Sequence, residues 1–181
     1  MTEPDVCPME DAWRKDPTPT DKVTAHSYMR VYDKLLGHRR AEPLVIVEVG
    51  VLKGGSLALW RRLFHNAEIT GVDIDEKTPD VDGCTVVHGD SRDAGWVKDY
   101  FPPESIDVLI DDGSHVLSSQ VSTFWAFQRA MKKGGLYFIE DIYPFVGVRT
   151  LQGAAGIRPT ELFDLREVKG RIDDVLLVIH F

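Results

Sequence analysis

Three features of the chain predict a doubly wound α/β fold, with a mostly parallel sheet and helices on both faces. Short apolar segments suited to buried strands alternate with segments in which apolar residues recur at helical spacing. Within residues 44–75 this alternation reads as strand, glycine-rich loop, helix, and a second strand that ends in an acid. The last two predicted strands, residues 162–168 and 175–181, are joined by a turn at 171–174, which predicts an antiparallel edge.

The segment 44–75 is the expected nucleotide-binding unit of this fold. Its first strand is apolar apart from Glu48, as expected for a strand covered on both faces. The glycines of the following loop are Gly50, Gly54 and Gly55. Glycines allow a tight turn and a close approach to the backbone, and a helix N-terminus can hold an anionic group. Asp73, directly after the second strand (69–72), can bind a ribose diol.

The N-terminal part of the chain divides into an arm and the start of the domain. Residues 1–19 are polar and rich in proline, which predicts a flexible N-terminal arm. A single domain is predicted from 20 to 181. The apolar residues that follow the arm at helical spacing are Tyr28, Tyr32, Leu35 and Leu36. They predict a helix over 24–36.

The rest of the chain continues the alternation of strands and helices. Further strands are predicted at 85–88, 106–110 and 136–139. Pro102 and Pro103 end a helix that contains Trp96. A longer helix is expected to start near Leu117 and to run through Lys132 and Lys133 to Gly134 and Gly135. The segment 142–157 predicts an irregular connection.

Composition narrows the possible partners. The 181 residues carry a formal net charge of −8 with a sequence pI of about 5.2, which disfavours a nucleic-acid partner. No apolar run approaches the roughly 20 residues of a membrane span, and from the first residues we expect no signal peptide. Cys7 and Cys84 have no metal-binding spacing. We expect a cytoplasmic protein that acts on a small molecule without contacting a membrane and that forms a homo-oligomer.

Acidic residues follow four successive predicted strands. They are Asp73, Asp90, the pair Asp111 and Asp112, and the pair Glu140 and Asp141. Since ligands of open α/β sheets bind outside the carboxyl ends of the strands, these side chains should share one crevice. Crowded carboxylates repel one another, and a basic side chain or a hard metal ion relieves that repulsion.

Several of these motifs resemble one enzyme family. They read EVGVLKGGSLALW, GVDID, GDSRD, IDDGSH and GGLYFIEDI, with TDKVTAHSYMRVYDKLL upstream. In this pattern the chain is similar to class I S-adenosylmethionine-dependent methyltransferases, and more narrowly to the metal-dependent O-methyltransferases that modify sugars of macrolide natural products. The resemblance covers residues 20–181 and implies a Rossmann-like, seven-stranded sheet. Members of this group are often longer, with an additional N-terminal domain.

The resemblance also implies roles for individual residues. The cofactor-binding set would be Glu48, Gly50, Gly54, Gly55, Ser56, Asp73, Asp90, Ser91, Asp111 and Tyr28. Asp112 and Asp141, with Glu140, would bind Mg²⁺ or Mn²⁺. His115 would be the general base, so the catalytic set is His115, Asp112 and Asp141. Lys22, His26 and Tyr28 would fold over the cofactor or the acceptor.

The chemistry requires these residue types. A sugar hydroxyl is a poor nucleophile while protonated, and a hard cation lowers its pKa. Histidine can accept the proton near neutral pH. The implied function is therefore Mg²⁺-dependent O-methylation of a secondary metabolite in an antibiotic pathway.

Three alternatives remain open on the sequence alone. A nicotinamide-dependent oxidoreductase would use a similar unit, but the loop lacks the G-x-G-x-x-G spacing. A protein could keep the fold and the cofactor and perform another role, such as cyclisation. An RNA methyltransferase is disfavoured by the acidic composition.

Overall fold

The computed structural model describes residues 7–181, whose seven strands form a single sheet. The strands are β1 (Val45–Val49), β2 (Glu68–Asp73), β3 (Thr85–His88), β4 (Ile106–Asp111), β5 (Met131–Ile139), β6 (Thr160–Asp164) and β7 (Val175–His180). Their order across the sheet is β3–β2–β1–β4–β5–β7–β6. Strand β7 runs antiparallel to β5 and β6, and the other pairings are parallel. The predicted fold class is confirmed, with the antiparallel strand one position in from the edge.

Helices cover both faces of this sheet. They are α1 (Pro8–Lys15), α2 (Asp21–Thr24), α3 (Met29–Leu36), α4 (Gly55–Leu63), α5 (Ala94–Tyr100), α6 (Leu117–Phe127), α7 (Gly147–Ala155) and α8 (Arg166–Lys169), with a 3-10 helix at Gly37–Arg39. Tyr32 and Trp60 pack with Phe138 on one face. Phe124 packs with Tyr137 on the other. The central strands are therefore apolar on both sides, as parallel strands between two helix layers require.

The register of the central strands brings the acidic residues together. Val49 of β1 is paired with Asp111 of β4, and Asp111 is paired with Ile139 of β5. Because these strands are parallel and end at the same level, the residues that follow them meet at one edge of the sheet. Asp112 and Glu140 are two such residues.

The predicted flexible arm is wrong for the part that the structure describes. Residues 8–15 form α1, with Pro8 in the first turn, where a missing N–H costs no hydrogen bond. Met9 is completely buried against the helices of one face, and the Trp13 indole donates to the Thr18 carbonyl at 3.0 Å. This buried apolar contact holds the segment in place. Residues 1–6 of the predicted arm lie outside the described residues.

The helix predicted over 24–36 is also wrong in its first part. Helix α2 ends at Thr24, and α3 begins at Met29. Between them the backbone N–H of Ser27 donates to a side-chain oxygen of Asp174 at 3.2 Å. This contact across the fold replaces a helical hydrogen bond and breaks the helix.

Three predictions in the second half of the chain require correction. Helix α6 ends at Phe127, and Met131 begins β5. The pairing of β5 with β4 shifts in register between Ile106 and Val108 of β4. Met131 is buried in β5, as it would also be in a helix. Its apolar character therefore could not show that the helix ends before it. Within the segment 142–157, residues 147–155 form α7, so the predicted irregular connection is wrong for that part. The strand predicted over 162–168 ends at Asp164, and α8 follows.

Within the described range 7–181, no helix has both the length and the apolar character needed to cross a bilayer.

Candidate functional site

A cavity of about 540 Å³ opens at the carboxyl ends of the central strands. The predicted site residues that line it are Gly50, Gly55, Ser56, Asp73, Asp90, Ser91, Asp111, Asp112 and His115. The remaining predicted residues, Tyr28, Glu48, Gly54, Glu140 and Asp141, are not part of the lining. Pro19, Thr20 and Asp21 form a further wall from the segment upstream of β1, which the sequence reading did not include.

The glycine loop is shaped by contacts within the protein itself. A Cβ at Gly50, where φ is +90°, would lie 2.1 Å from the carbonyl oxygen of Asp112. A Cβ at Gly55 would lie 2.2 Å from the carbonyl oxygen of Pro19. Both distances are far below van der Waals contact. The loop can therefore pack against the β4 end and against the upstream segment only with glycine at these two positions.

Asp73 holds the same loop from the end of β2. Its Oδ2 accepts hydrogen bonds from the backbone N–H groups of Val51 at 2.9 Å and Leu52 at 3.1 Å. Its Oδ1 accepts one from the N–H of Asp75 at 3.0 Å. Burial acts to raise the pKa of Asp73, but these N–H donors outweigh it and lower the pKa. Asp73 thus organises the loop and also faces the cavity.

Asp90 and Ser91 occupy the wall that β3 supplies. Both oxygens of Asp90 pair with the guanidinium of Arg92, each at 2.8 Å, and this pairing lowers the pKa of Asp90. The Ser91 hydroxyl lies 3.1 Å from that of Thr123 on α6. Arg92 and Thr123 also line the cavity, and the sequence analysis did not single out either one. No sequence signal singles them out, because arginine and threonine serve many structural roles in proteins.

Asp111 is a buried carboxyl group on the cavity wall. Its side chain receives the Gly113 N–H at 3.4 Å and lies 3.5 Å from the Tyr137 hydroxyl. Burial raises the pKa of Asp111 to about 7, because these long contacts do not replace the lost hydration of the charge. A cationic group bound beside it would favour the ionised form.

Behind the cavity a single lysine contacts three carboxylates. Lys22 of α2 is completely buried. Its Nζ lies 2.6 Å from Asp112 Oδ2, 2.7 Å from Glu140 Oε2 and 3.1 Å from Glu48 Oε1. Burial acts to lower the pKa of Lys22, but the three negative charges raise it well above its usual value. We call Lys22 and these three carboxylates the lysine cluster.

The other contacts of Glu48 and Glu140 also lie inside the protein. Glu48 Oε2 accepts from the Ser56 hydroxyl at 2.8 Å and from the Trp60 indole at 3.1 Å. The Tyr32 hydroxyl donates to Glu140 Oε1. Burial raises the pKa of both glutamates, which Lys22 opposes. Both glutamates contact Lys22, and neither lines the cavity. The cofactor contact of Glu48 and the metal role of Glu140 therefore stay predictions.

Asp141 is held by residues from the upstream segment. Its Oδ1 accepts from the Tyr28 hydroxyl at 2.5 Å, and its backbone N–H donates to the same hydroxyl oxygen at 3.2 Å. His26 Nδ1 lies 3.2 Å from Asp141 Oδ1 and 3.5 Å from Asp174 Oδ1. Tyr28 and His26 stack with ring centroids 4.8 Å apart. Tyr28 therefore holds Asp141 from behind, with His26 stacked against its ring. Neither residue lines the cavity, whereas the sequence analysis expected both to fold over the cofactor or the acceptor.

Asp112, His115 and Asp141 form a group suited to a metal ion. One potential ligand atom from each lies within 4.8 Å of the others. His115 Nε2 is 3.7 Å from Asp141 Oδ2, and its side chain is 41% exposed. The pKa of Asp141 is raised, chiefly by burial and also by the charge of Asp112. Tyr28, His26 and His115 oppose this rise. Two nearby carboxylates whose repulsion is partly unrelieved are a suitable donor set for a hard divalent cation.

Comparison with known proteins gives related enzymes but no matching family model. The chain is 33% identical over 130 residues to demethylmacrocin O-methyltransferase of Streptomyces fradiae, which covers 65% of this chain and 32% of that protein. It is 31% identical over 163 residues to 8-demethyl-8-(2-methoxy-alpha-L-rhamnosyl)-tetracenomycin-C 3'-O-methyltransferase of Streptomyces olivaceus, covering 83% of this chain and 40% of that protein. The chain thus spans well under half the length of these relatives.

A solved structure shares the fold over nearly the whole chain. The MycE methyltransferase of the mycinamycin biosynthetic pathway, in complex with Mg and SAH, superimposes with a TM-score of 0.71 at 24% identity. The match covers 98% of this chain and 54% of that one. The resemblance predicted from the sequence motifs is confirmed: the chain is related to O-methyltransferases that act on sugars of natural products, and it has the methyltransferase fold.

Proposed function

We propose that the protein is an S-adenosylmethionine-dependent, Mg²⁺-dependent O-methyltransferase whose acceptor is a sugar hydroxyl of a natural product. The observation that carries the proposal is the position of Asp112 and His115. Both line the same cavity as the glycine loop and Asp73, and both belong to the candidate metal group. A cofactor site and a metal–base site therefore adjoin, as methyl transfer to a hydroxyl requires.

The cavity residues fit the cofactor. Asp73 faces the cavity after β2, where a carboxylate can accept from ribose hydroxyls, and Asp90 and Ser91 would contact the adenine. Asp111 would lie near the sulfonium and the amine of the methionine part, whose positive charges favour its ionised form. When bound, the cofactor supplies an activated methyl group.

The metal group would work with His115. Asp112 and Asp141 would hold the cation, which when bound lowers the pKa of the acceptor hydroxyl. His115 would accept the hydroxyl proton at Nε2, the nitrogen near Asp141. Lys22 and Tyr28 would hold these two carboxylates in place from behind.

The acceptor class rests on the relatives. Demethylmacrocin O-methyltransferase and the tetracenomycin-C 3'-O-methyltransferase are named for natural-product substrates. A second structure of MycE holds Mg, SAH and Mycinamycin VI together. Because this chain covers only part of those proteins, the glycosylated acceptor is part of the proposal.

The test combines binding and turnover. Calorimetric titration with S-adenosylmethionine should show one site per chain. Methyl transfer to a panel of glycosylated macrolides and tetracenomycins should stop in excess chelator and return with Mg²⁺ or Mn²⁺. Cofactor binding without transfer to any of them would favour a role such as cyclisation. Full turnover in excess chelator would refute the metal requirement, and binding of NAD in place of S-adenosylmethionine would refute the whole proposal.

A further inference from the structure

The two carboxylates of the candidate metal group share one feature. Each has one of its two oxygens held by a side chain from the segment upstream of β1. This bears on which metal ion the group selects, and the inference therefore rests on the metal site in the proposed function.

Asp112 is held by Lys22. The ammonium group lies 2.6 Å from Oδ2, and it is anchored on its other sides by Glu140 and Glu48. Because Lys22 is completely buried, it cannot swing away into solvent. Oδ2 of Asp112 is therefore already paired within the lysine cluster, and we expect Oδ1 to be the oxygen that binds a metal ion.

Asp141 is held in the same way by Tyr28. The buried hydroxyl donates to Oδ1 at 2.5 Å, while Oδ2 faces His115. His26 Nδ1 lies 3.2 Å from the same Oδ1, but it makes no hydrogen bond within the described residues. The Tyr28 hydroxyl is thus the group that fixes this carboxylate, and Oδ2 is the oxygen that faces the candidate site.

Ions differ in how they use carboxylates. Ca²⁺ takes roughly six to eight oxygen ligands in flexible geometry and readily accepts both oxygens of one carboxylate. Mg²⁺ demands compact octahedral geometry, keeps several waters and binds one or two carboxylates through single oxygens. We propose that Lys22 and Tyr28 restrict Asp112 and Asp141 to one metal-binding oxygen each, and that they thereby make the site selective for Mg²⁺ over Ca²⁺.

The test substitutes Tyr28→Phe, which removes one hydroxyl and keeps the ring. The matched control is Tyr32→Phe, since Tyr32 is equally buried and its hydroxyl also contacts a carboxylate, that of Glu140, which is outside the metal group. Metal-free full-length wild type and both variants are titrated calorimetrically with MgCl₂ and with CaCl₂. Circular dichroism verifies that each protein is folded.

The expected result is a change in the ratio of the Ca²⁺ to the Mg²⁺ dissociation constant. Tyr28→Phe should lower this ratio by about tenfold, within the range by which outer partners of metal ligands alter affinity. Tyr32→Phe should leave it within about twofold of wild type, because it frees no metal-binding oxygen. An unchanged ratio in Tyr28→Phe, or an equal fall in both variants, would overturn the inference.

Wild type alone provides a second measurement if Tyr28→Phe does not fold. Binding of Ca²⁺ as tightly as Mg²⁺ by wild type would overturn the selectivity without touching the proposed reaction. Wild type that binds neither ion, yet binds the demethylated cofactor product, would remove the metal site from the proposed function as well.

Discussion

Removal of the Lys22 ammonium should destabilise the protein strongly, and more so at high pH. Lys22→Met leaves a side chain of similar length but no charge among Glu48, Asp112 and Glu140, whose oxygens lie 2.6–3.1 Å from Nζ. Breaking a buried ion pair by deleting one partner costs about 3–5 kcal/mol, because the remaining charges are uncompensated. We expect a loss of that size in the free energy of unfolding at pH 8.

The pH dependence follows from the carboxylates that remain. Burial already raises the pKa of Glu48 and Glu140, and Lys22 opposes that rise. Without Lys22 their pKa values rise further, so the folded variant binds protons that the unfolded chain has released. Its stability therefore falls as pH rises above the unfolded value of 4.5 towards the raised folded values. The penalty should be clearly smaller at pH 5.5 than at pH 8.

Urea denaturation followed by tryptophan fluorescence in metal-free buffer measures this at both pH values. The control is Lys132→Met, which breaks the 2.6 Å ion pair to Asp107 in a side chain that is 35% exposed. Exposed pairs contribute less than about 1 kcal/mol, so this control should show a small, nearly pH-independent effect. A loss below 1 kcal/mol for Lys22→Met at pH 8, or the same loss at both pH values, would refute the reasoning.

Three further outcomes are expected. His115→Ala should lower turnover by about 10²–10⁴ and leave calorimetric cofactor affinity nearly unchanged, and wild-type turnover would make His115 a structural residue. Asp111→Asn should flatten the fall in metal-free stability between pH 4 and 7, because folded Asp111, with a pKa of about 7, keeps a proton that the unfolded chain loses. If the urea midpoint of the variant fell across that range as much as that of wild type, the result would contradict this. Asp73→Ala should weaken cofactor binding by about 2–3 kcal/mol and speed amide exchange at Val51 and Leu52. Unchanged exchange at both amides would show that Asp73 does not hold the loop.

The sequence was informative where function depends on the order of local elements. Strand, glycine loop, helix and acid are adjacent in the chain, and parallel strands meet at one edge whatever the details of packing. Asp73, Asp90 and Asp111 could therefore be assigned to one cavity, and all three line it. Asp112 and Asp141 also follow neighbouring strands, and the resemblance assigned them to one metal group; one ligand atom from each lies within 4.8 Å of the other.

The contacts that hold the carboxylates from behind the cavity could not be predicted in that way. Helical spacing favours a continuous helix over 24–36, and no local pattern shows that the segment must break to place Tyr28 beside Asp141. Nor does the sequence distinguish Glu140, which contacts Lys22, from its neighbour Asp141, which faces His115. These choices depend on contacts between distant parts of the chain, which override local preference.

The same distant contacts have a consequence for how the protein reaches its native state. Lys22 is separated from Asp112 by 90 residues and from Glu140 by 118. Closing loops of that length carries an entropic cost before any contact forms, so such pairs slow folding. The strand ends must assemble before the upstream segment has carboxylates to bind. We therefore expect the back of the site to be completed late, with Lys22 contributing more to the unfolding rate than to the folding rate.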